Sequence, residues 1–200
     1  MKDIENIELA FLKEDDYDEF KQSMLEAYAN MPNSYWEKHH IAKLIKIFPE
    51  GQAAIKIDGR FAGCALSIIV DSGKFDTHHT YMEITGNETF NTHHPEGDIL
   101  YGVDIFIRPD FRGLRLGRRL YDYRKELCEK LNLRGIAFGG RIPNYRKYAR
   151  NMSPKAYIEK VKTREIHDPV LNFQLSNDFH PAKILKNYLP GDTASGEYAV

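Results

Sequence analysis

Cysteine is nearly absent from this chain: Cys64 and Cys128 are the only two among 200 residues, both in apolar patterns and far apart in sequence. That excludes a disulfide framework and fits a reducing cytoplasm, where both would be small buried hydrophobes. Long apolar runs are missing as well. None approaches the roughly 18 residues of a membrane helix, and Met1 to Glu8 is polar and acidic, so neither membrane association nor export is expected. Net charge is close to nil, since 28 basic and 29 acidic residues give -1, and no global field draws the chain to nucleic acid or anionic membrane. Any affinity for an anion has to come from local clustering. There is no Gly-Lys-Ser/Thr ending of a P-loop and no three-glycine dinucleotide spacing, which removes support for nucleotide hydrolysis and NAD binding. What is present is material for a core, with 42% hydrophobic and 12% aromatic residues against 28% charged. A disordered chain is excluded, and the length fits one domain that buries about 70% of its unfolded surface.

The order of patterns predicts an α/β fold. Ile7, Leu9 and Phe11 alternate with Glu8 and Ala10, giving a first strand that ends near Lys13. Asp15 and Asp16 cap a helix through Phe20, Met24, Leu25 and Tyr28, broken at Met31-Pro32-Asn33-Ser34, and a second helix uses Trp36, Ile41, Leu44, Ile45 and Phe48. Asp58-Gly59 between Ala53–Ile57 and Phe61–Val70 is a hairpin signal. Asp71 to Gly97 is polar and reads as a functional flap with a short strand around Tyr81 to Ile84. Ile99 to Ile107 is a central strand ending at Arg108-Pro109. Leu114 to Leu133 is the clearest helix, with Leu116, Leu120, Tyr123, Leu127 and Leu131 on one face. Arg134 to Phe138 is then a strand, so strand, helix and strand form a crossover that favours parallel pairing. Ser153-Pro154 and Asp168-Pro169 start two further helices. Ala182 to Leu189 and Glu197 to Val200 read as final strands, the last cut short as in a piece of a longer polypeptide.

The stretch that carries chemistry runs from Ile105 to Arg119: a buried strand, a proline turn, a glycine-containing loop and the start of an amphipathic helix. Backbone N–H groups at a helix N-terminus are unpaired and carry partial positive charge, so this arrangement suits phosphate. Arg112, Arg115, Arg118 and Arg119 add charge at the same place. A nucleic-acid patch is the competing reading of these arginines, and it predicts steeply salt-dependent binding; balanced overall charge favours one local anion site instead. His78-His79 and His93-His94 do not make a metal site, because adjacent histidines on a strand point oppositely and no Cys or carboxylate spacing completes a ligand set. Cys64 lacks a base that would make it a nucleophile. Trp36, Phe106, Phe111 and Phe138 read as core.

Arg112 to Gly117 resembles the pyrophosphate loop R/Q-x-x-G-x-G/A of the GNAT superfamily of acyl-CoA-dependent N-acyltransferases, with Arg115 in place of the middle glycine. The element order agrees over nearly the whole chain. The segments Arg-Gly-Leu-Arg-Leu-Gly-Arg-Arg-Leu-Tyr and Asp-Pro-Val-Leu-Asn-Phe-Gln-Leu-Ser-Asn are most similar to acetyltransferase-like domains found ahead of nitrilase-type carbon-nitrogen hydrolase domains. The resemblance implies a mixed, centrally splayed sheet flanked by helices in one domain, residues 1–200. It implies acetyl-CoA as acyl donor, no metal, and direct attack by a small-molecule or peptide amine in a ternary complex. An attached or partner hydrolase domain and a homodimer are compatible with it.

Carried onto this sequence, the resemblance implies that Ile105, Phe106 and Ile107 line the pantetheine arm, with a strand amide there polarising the thioester carbonyl. Arg112 and the amides of Gly113, Leu114, Arg115, Leu116, Gly117 and Arg118 would hold the pyrophosphate. The family's glutamate base aligns with Tyr101, which leaves Asp104, Asp98 and Glu83 as nearby carboxylates. The family's tyrosine acid aligns with Gln174, and Tyr145, Tyr148 or Tyr157, or solvent, would take its place. These two departures also admit a non-catalytic acyl-CoA-binding or regulatory module. Acceptor specificity is expected in Asp71–Gly97 and Arg141–His167.

Overall fold

The computed structural model describes residues 5–29, 31, 34–75 and 78–200. Part of the expected helix breaker, Pro32 and Asn33, and part of the expected flap, Asp76 and Thr77, lie outside the described residues. The order of elements is β1 (Ile7–Phe11), α1 (Tyr17–Ala27), α2 (Lys38–Ile47), β2 (Gln52–Ile57), β3 (Arg60–Val70), α3 (Ser72–Phe75), α4 (Tyr81–Ile84), β4 (Ile99–Ile107), α5 (Leu116–Lys130), β5 (Gly135–Ala137), α6 (Pro154–Lys162) and α7 (Pro169–Leu175). The contacts divide the chain into two units, residues 1–72 with 88–137 and residues 73–87 with 138–200. Among the described residues no helix is long and apolar enough to cross a membrane.

The first unit carries a mixed sheet of five strands in the order β1-β2-β3-β4-β5, antiparallel except for the last pair. The β2–β3 hairpin turns through Asp58 (φ 48) and Gly59 (φ 78), both left-handed as a type I′ turn requires. On one face Ile55, Ile57, Ala62 and Ala65, with Ile105 and Ile107, pack under Leu116 and Leu120 of α5. On the other, the Phe20 ring of α1 meets Phe61 and Phe106 edge-on at centroid distances of 6.1 and 5.6 Å. Each fully buried side chain of this size contributes about 1.5–3 kcal/mol.

Two irregularities of β4 position the site. Its parallel pairing with β5 covers Ile99, Leu100 and Tyr101 and then stops, while the ladder to β3 continues to Ile107. The sheet is therefore splayed between β4 and β5, as expected. The β3–β4 register also slips: Leu66 faces Asp104 while Ser67 faces Gly102, which leaves Val103 as the extra residue of a bulge.

Several expectations are corrected. The first strand ends at Phe11, and Trp36 and Phe48 flank α2 instead of lying in it. Tyr81–Ile84 is a helical turn, not a strand: Thr80 caps it, accepting from Glu83 N–H at 3.2 Å, while the Glu83 carboxylate accepts from Thr80 N–H at 2.7 Å. The final strands reduce to isolated bridges, Arg141 with Ala199 and Leu185 with Ala199. Pro181 and Pro190 lack an N–H to donate, and Asn187, Gly191, Gly196 and Glu197 take positive φ, so no extended run survives there.

In the second unit α6 and α7 start where their caps predict. Ser153 Oγ accepts from Ala156 N–H at 3.3 Å, and Asp168 Oδ1 accepts from Val170 and Leu171 N–H at 3.1 and 3.0 Å. Their apolar faces close on Ile142, Tyr145, Tyr157, Ile158, Val161 and Leu171. Arg141 forks onto buried Asp192 at 2.7 and 2.6 Å. Burial pushes the Asp192 carboxyl up, but the Arg141 fork and Ser195 outweigh it and hold the pKa below the usual carboxylate value. A depressed folded pKa contributes stability that is complete above the unfolded value, about 3.9, and is lost as pH falls through the folded one. The destabilisation caused by Asp192→Asn is thus expected to be large at pH 7 and to shrink by pH 3, read by urea melts; an equal effect at both would contradict the pairing.

Candidate active site

After β4 the chain turns through Pro109–Phe111, where buried Phe111 anchors the turn, and enters α5 through an exposed loop. Gly113 (φ 85) and Arg115 (φ 57) are both left-handed there. Arg115 occupies the position where the loop pattern has a glycine, and it adopts the backbone conformation glycine would supply. A non-glycine residue in this region costs about 1–2 kcal/mol. Arg115→Gly is expected to raise the thermal midpoint by a few degrees, about 2–4 °C per kcal/mol at this size; a fall would mean that the arginine side chain offsets the strain.

The first-turn N–H groups of Leu116, Gly117 and Arg118 have no carbonyl four residues back within the helix, and they face the loop. Arg112, Arg115, Arg118 and Arg119 are all exposed around them. Arg112 also donates to the Ala27 carbonyl at 3.3 Å, tying the loop to the end of α1. The helix end, the arginines and the stretch of β4 beyond its pairing with β5 lie consecutively on one unit. They offer a charged seat for a diphosphate and, beside it, a strand edge for an extended polar chain.

Asp104 sits on that stretch, pointing to the face of α1. Its Oδ1 accepts from Tyr28 Oη at 2.5 Å and from Ile105 N–H at 2.8 Å, and its Oδ2 accepts from Trp36 Nε1 at 3.2 Å. The residue keeps some exposed surface while its carboxyl is surrounded by protein atoms. Desolvation therefore raises its pKa above the ordinary aspartate value, against the three hydrogen bonds and the Arg124 charge, which lower it. Three donors fill three of the four lone-pair positions and leave one on Oδ2 for a proton.

The other acid–base candidates are engaged elsewhere. Tyr101 is on β4 but 2% exposed. Asp98 accepts from Ser72 N–H and Oγ, both at 2.7 Å, and these bonds hold its pKa down. Glu83, Tyr145 and Tyr148 belong to the second unit. Glu83 is held by Thr80, whose bonds lower its pKa. Buried Tyr145 donates to the Met152 carbonyl at 2.9 Å, with burial raising its pKa. Tyr148 packs on Tyr157 at 5.5 Å, and Tyr157 donates to Asp168 at 2.7 Å. Gln174 is buried against Gly140, where a Cβ would fall 2.3 Å from its amide oxygen. Burial drives the Cys64 thiol pKa well up, with the Asp104 charge adding, so it stays a thiol. His93 Nδ1 accepts from Ile69 N–H at 3.1 Å and its ring stacks on Phe48. Among the described residues no cluster of three or more His, Cys, Asp or Glu is placed to hold a metal ion.

Sequence reasoning missed Arg124 and the donors to Asp104. Arg124 has a signal in hindsight, a charge four residues after Leu120 and three before Leu127 on the apolar stripe of α5. Trp36 and Tyr28 carry none, because core aromatics and polar-tipped aromatics look alike in sequence.

A splayed α/β sheet with a basic, amide-rich helix start beside its open strand defines an acyl-CoA-binding class of fold. The Acetyltransferase (GNAT) family model matches residues 17–152, and the chain belongs to that family of acetyl-CoA-dependent acetyltransferases. It is 42% identical over 164 residues to "Probable hydrolase YhcX" of Bacillus subtilis (strain 168), covering 82% of this chain and 32% of that protein. It is 37% identical over 165 residues to "Uncharacterized N-acetyltransferase YkwB" of the same organism, covering 82% of this chain and 73% of that one. The chain therefore spans about a third of the first relative's length. The crystal structure of the loading GNATL domain of CurA from Lyngbya majuscula superimposes with a TM-score of 0.83 at 19% identity, covering 97% of this chain and 94% of that one.

Proposed function

We propose that this chain transfers an acetyl group from acetyl-CoA to a small-molecule or peptide amine by direct attack, with Asp104 as the proton acceptor. The observation that carries the reading is the release of β4 from β5 after Tyr101, immediately before the loop and N-terminus of α5. The first-turn amides and Arg112 take the pyrophosphate, and the backbone of Ile105 to Ile107 takes the pantetheine arm.

Ile105 N–H donates to the Asp104 carboxylate at 2.8 Å on this edge of the strand. In the ternary complex the thioester oxygen takes that N–H, which polarises the carbonyl and stabilises the developing oxyanion. Asp104 then loses one of the three bonds that favour its charged form and becomes a stronger base when the donor is in place. The amine nitrogen forms the C–N bond, its proton passes to the open lone pair of Asp104, and the C–S bond breaks with the thiolate taking a proton from solvent. Tyr28 and Trp36 hold the carboxylate in position throughout.

The similarity to a hydrolase of which this chain matches 32% supports a second placement, in which the transferase unit works beside an attached or partner hydrolase domain in the cytoplasm. The test is release of CoA thiol from acetyl-CoA across a panel of amines. Acceptor-dependent release with a stoichiometric acetylated amine supports transfer. Binding of acetyl-CoA without acceptor-dependent release from any amine, peptide or carrier would sink it in favour of a binding module.

A further inference from the structure

Arg124 lies in the middle of α5 and is 2% exposed, an unusual place for a guanidinium. Its donors reach three neutral oxygens. Nε donates to Ser67 Oγ at 3.1 Å, and Nη2 donates to the Leu66 carbonyl at 2.7 Å and the Asp104 carbonyl at 2.6 Å. No carboxylate oxygen is among these partners, so the cation is buried without the bonded counter-ion that ordinarily offsets its desolvation.

The two carbonyls are those of the pair that faces across the register slip, and Ser67 is the next residue along β3. A bulge leaves ladder groups unmatched, and here one side chain from α5 satisfies both strands at that point. On the bulged strand itself, Gly102, the residue before Val103, gives the guanidinium its room. A Cβ at Gly102 would meet Arg124 Nη1 at 2.9 Å, Cζ at 3.1 Å and Nη2 at 3.3 Å, and nothing else is as near. Arg124 also shares α5 with the amides of Leu116 to Arg118, two turns away.

We propose that Arg124 is a positioning residue for acyl transfer: it fixes the β4 bulge to α5, sets the aim of the Ile105 N–H relative to the phosphate-binding helix end, and places a fixed positive charge behind the strand that receives the oxyanion. This rests on the acyl-transfer reading above. A cation hydrogen-bonded only to neutral oxygens is costly for folding alone, and it is favourable where negative charge develops next to it during reaction. The side chain touches no reacting atom, so it acts through the strand.

The experiment compares wild type with Arg124→Lys, Arg124→Met and Gly102→Ala. The alanine leaves the arginine in the chain but pushes its movable end off the carbonyls, and it carries the test if the Arg124 variants do not fold. Two readouts are taken: kcat and KM for acetyl-CoA, and the infrared carbonyl band of carbonyl-labelled acetyl-CoA bound to each protein. In wild type the bound band is expected to lie below that of free acetyl-CoA. In Arg124→Met and Gly102→Ala the shift is expected to be largely lost and kcat to fall by on the order of tenfold or more, with KM little changed, while Arg124→Lys recovers part of both. Variants that keep the band shift and kcat while losing only thermal stability would overturn the proposal and leave Arg124 a structural residue. A wild type that binds no acetyl-CoA overturns the acyl-transfer reading and this inference together. A wild type that binds and shifts the band without turnover still tests Arg124 through the band.

Discussion

Asp104→Asn is expected to lower kcat/KM by on the order of 10²–10³-fold while leaving acetyl-CoA affinity within a few-fold of wild type. The substitution keeps the volume, and an amide oxygen in the Oδ1 position still accepts from Tyr28 and Ile105, but no proton can be taken up. The pH profile makes the test specific. Asp104 has a pKa raised by desolvation, so a wild-type enzyme that needs the carboxylate loses activity as pH falls through a limb above the ordinary aspartate range. The variant should lack that limb and show only the titration of the amine. A variant with wild-type kcat and an unchanged acid limb would assign the proton transfer to solvent or to another group. Tyr28→Phe, which removes the 2.5 Å bond to Oδ1, should shift the same limb upward, since a donor to the charged form is lost.

Gly117→Trp is expected to abolish acetyl-CoA binding. Gly117 is the second residue of α5, and side chains in a helix tilt toward its N-terminus, so an indole there would cover the amides proposed to receive the pyrophosphate. Ligand at a hundredfold excess over Kd stabilises the folded wild type by about 2.7 kcal/mol, about 5–10 °C for a chain of this size. The variant should show the wild-type midpoint without ligand and no rise with it. Arg112→Ala should weaken binding less, because it removes one charge and the tie to Ala27 but no amide. A full ligand-induced rise in Gly117→Trp would place the pyrophosphate elsewhere.

The elements that set this site were legible because local and long-range signals agreed in them. The helix from Leu116 has its apolar stripe, a loop with glycine before it and strong strands on either side. Asp58-Gly59 could form only a tight turn, and Ser153 and Asp168 could act only as caps. Tyr81 to Ile84 went wrong for a reason visible in the residues. Tyr, Met and Ile invite a strand, but the Thr80–Glu83 capping box supplies two of the orphan donors of a helical turn and decides the matter locally. Ala182 to Leu189 and Glu197 to Val200 read as strands by composition, and the left-handed residues Asn187 and Glu197 within them, with Pro181 and Pro190 on either side of the first, broke the ladders.

The site was legible by halves. A phosphate seat is written in consecutive residues, so the loop could be read directly. The carboxylate proposed as base is defined by what surrounds it, and the surroundings of Asp104 come from Tyr28, Trp36 and Arg124, dozens of residues away from it or on another element. Asp104 stood among several carboxylates until the hydrogen bonds committed Glu83 to Thr80 and Asp98 to Ser72. Arg124 was hidden by its charge, since arginines on a helix are ordinarily solvated.

The most direct measurement is a calorimetric titration of the wild-type chain with acetyl-CoA, with ATP and NAD as controls. Saturable one-site binding of acetyl-CoA and CoA, absent for ATP and NAD, is the expected result. A folded chain that gives no heat with any CoA species would contradict the assignment of β4 and the α5 N-terminus as an acyl-CoA site.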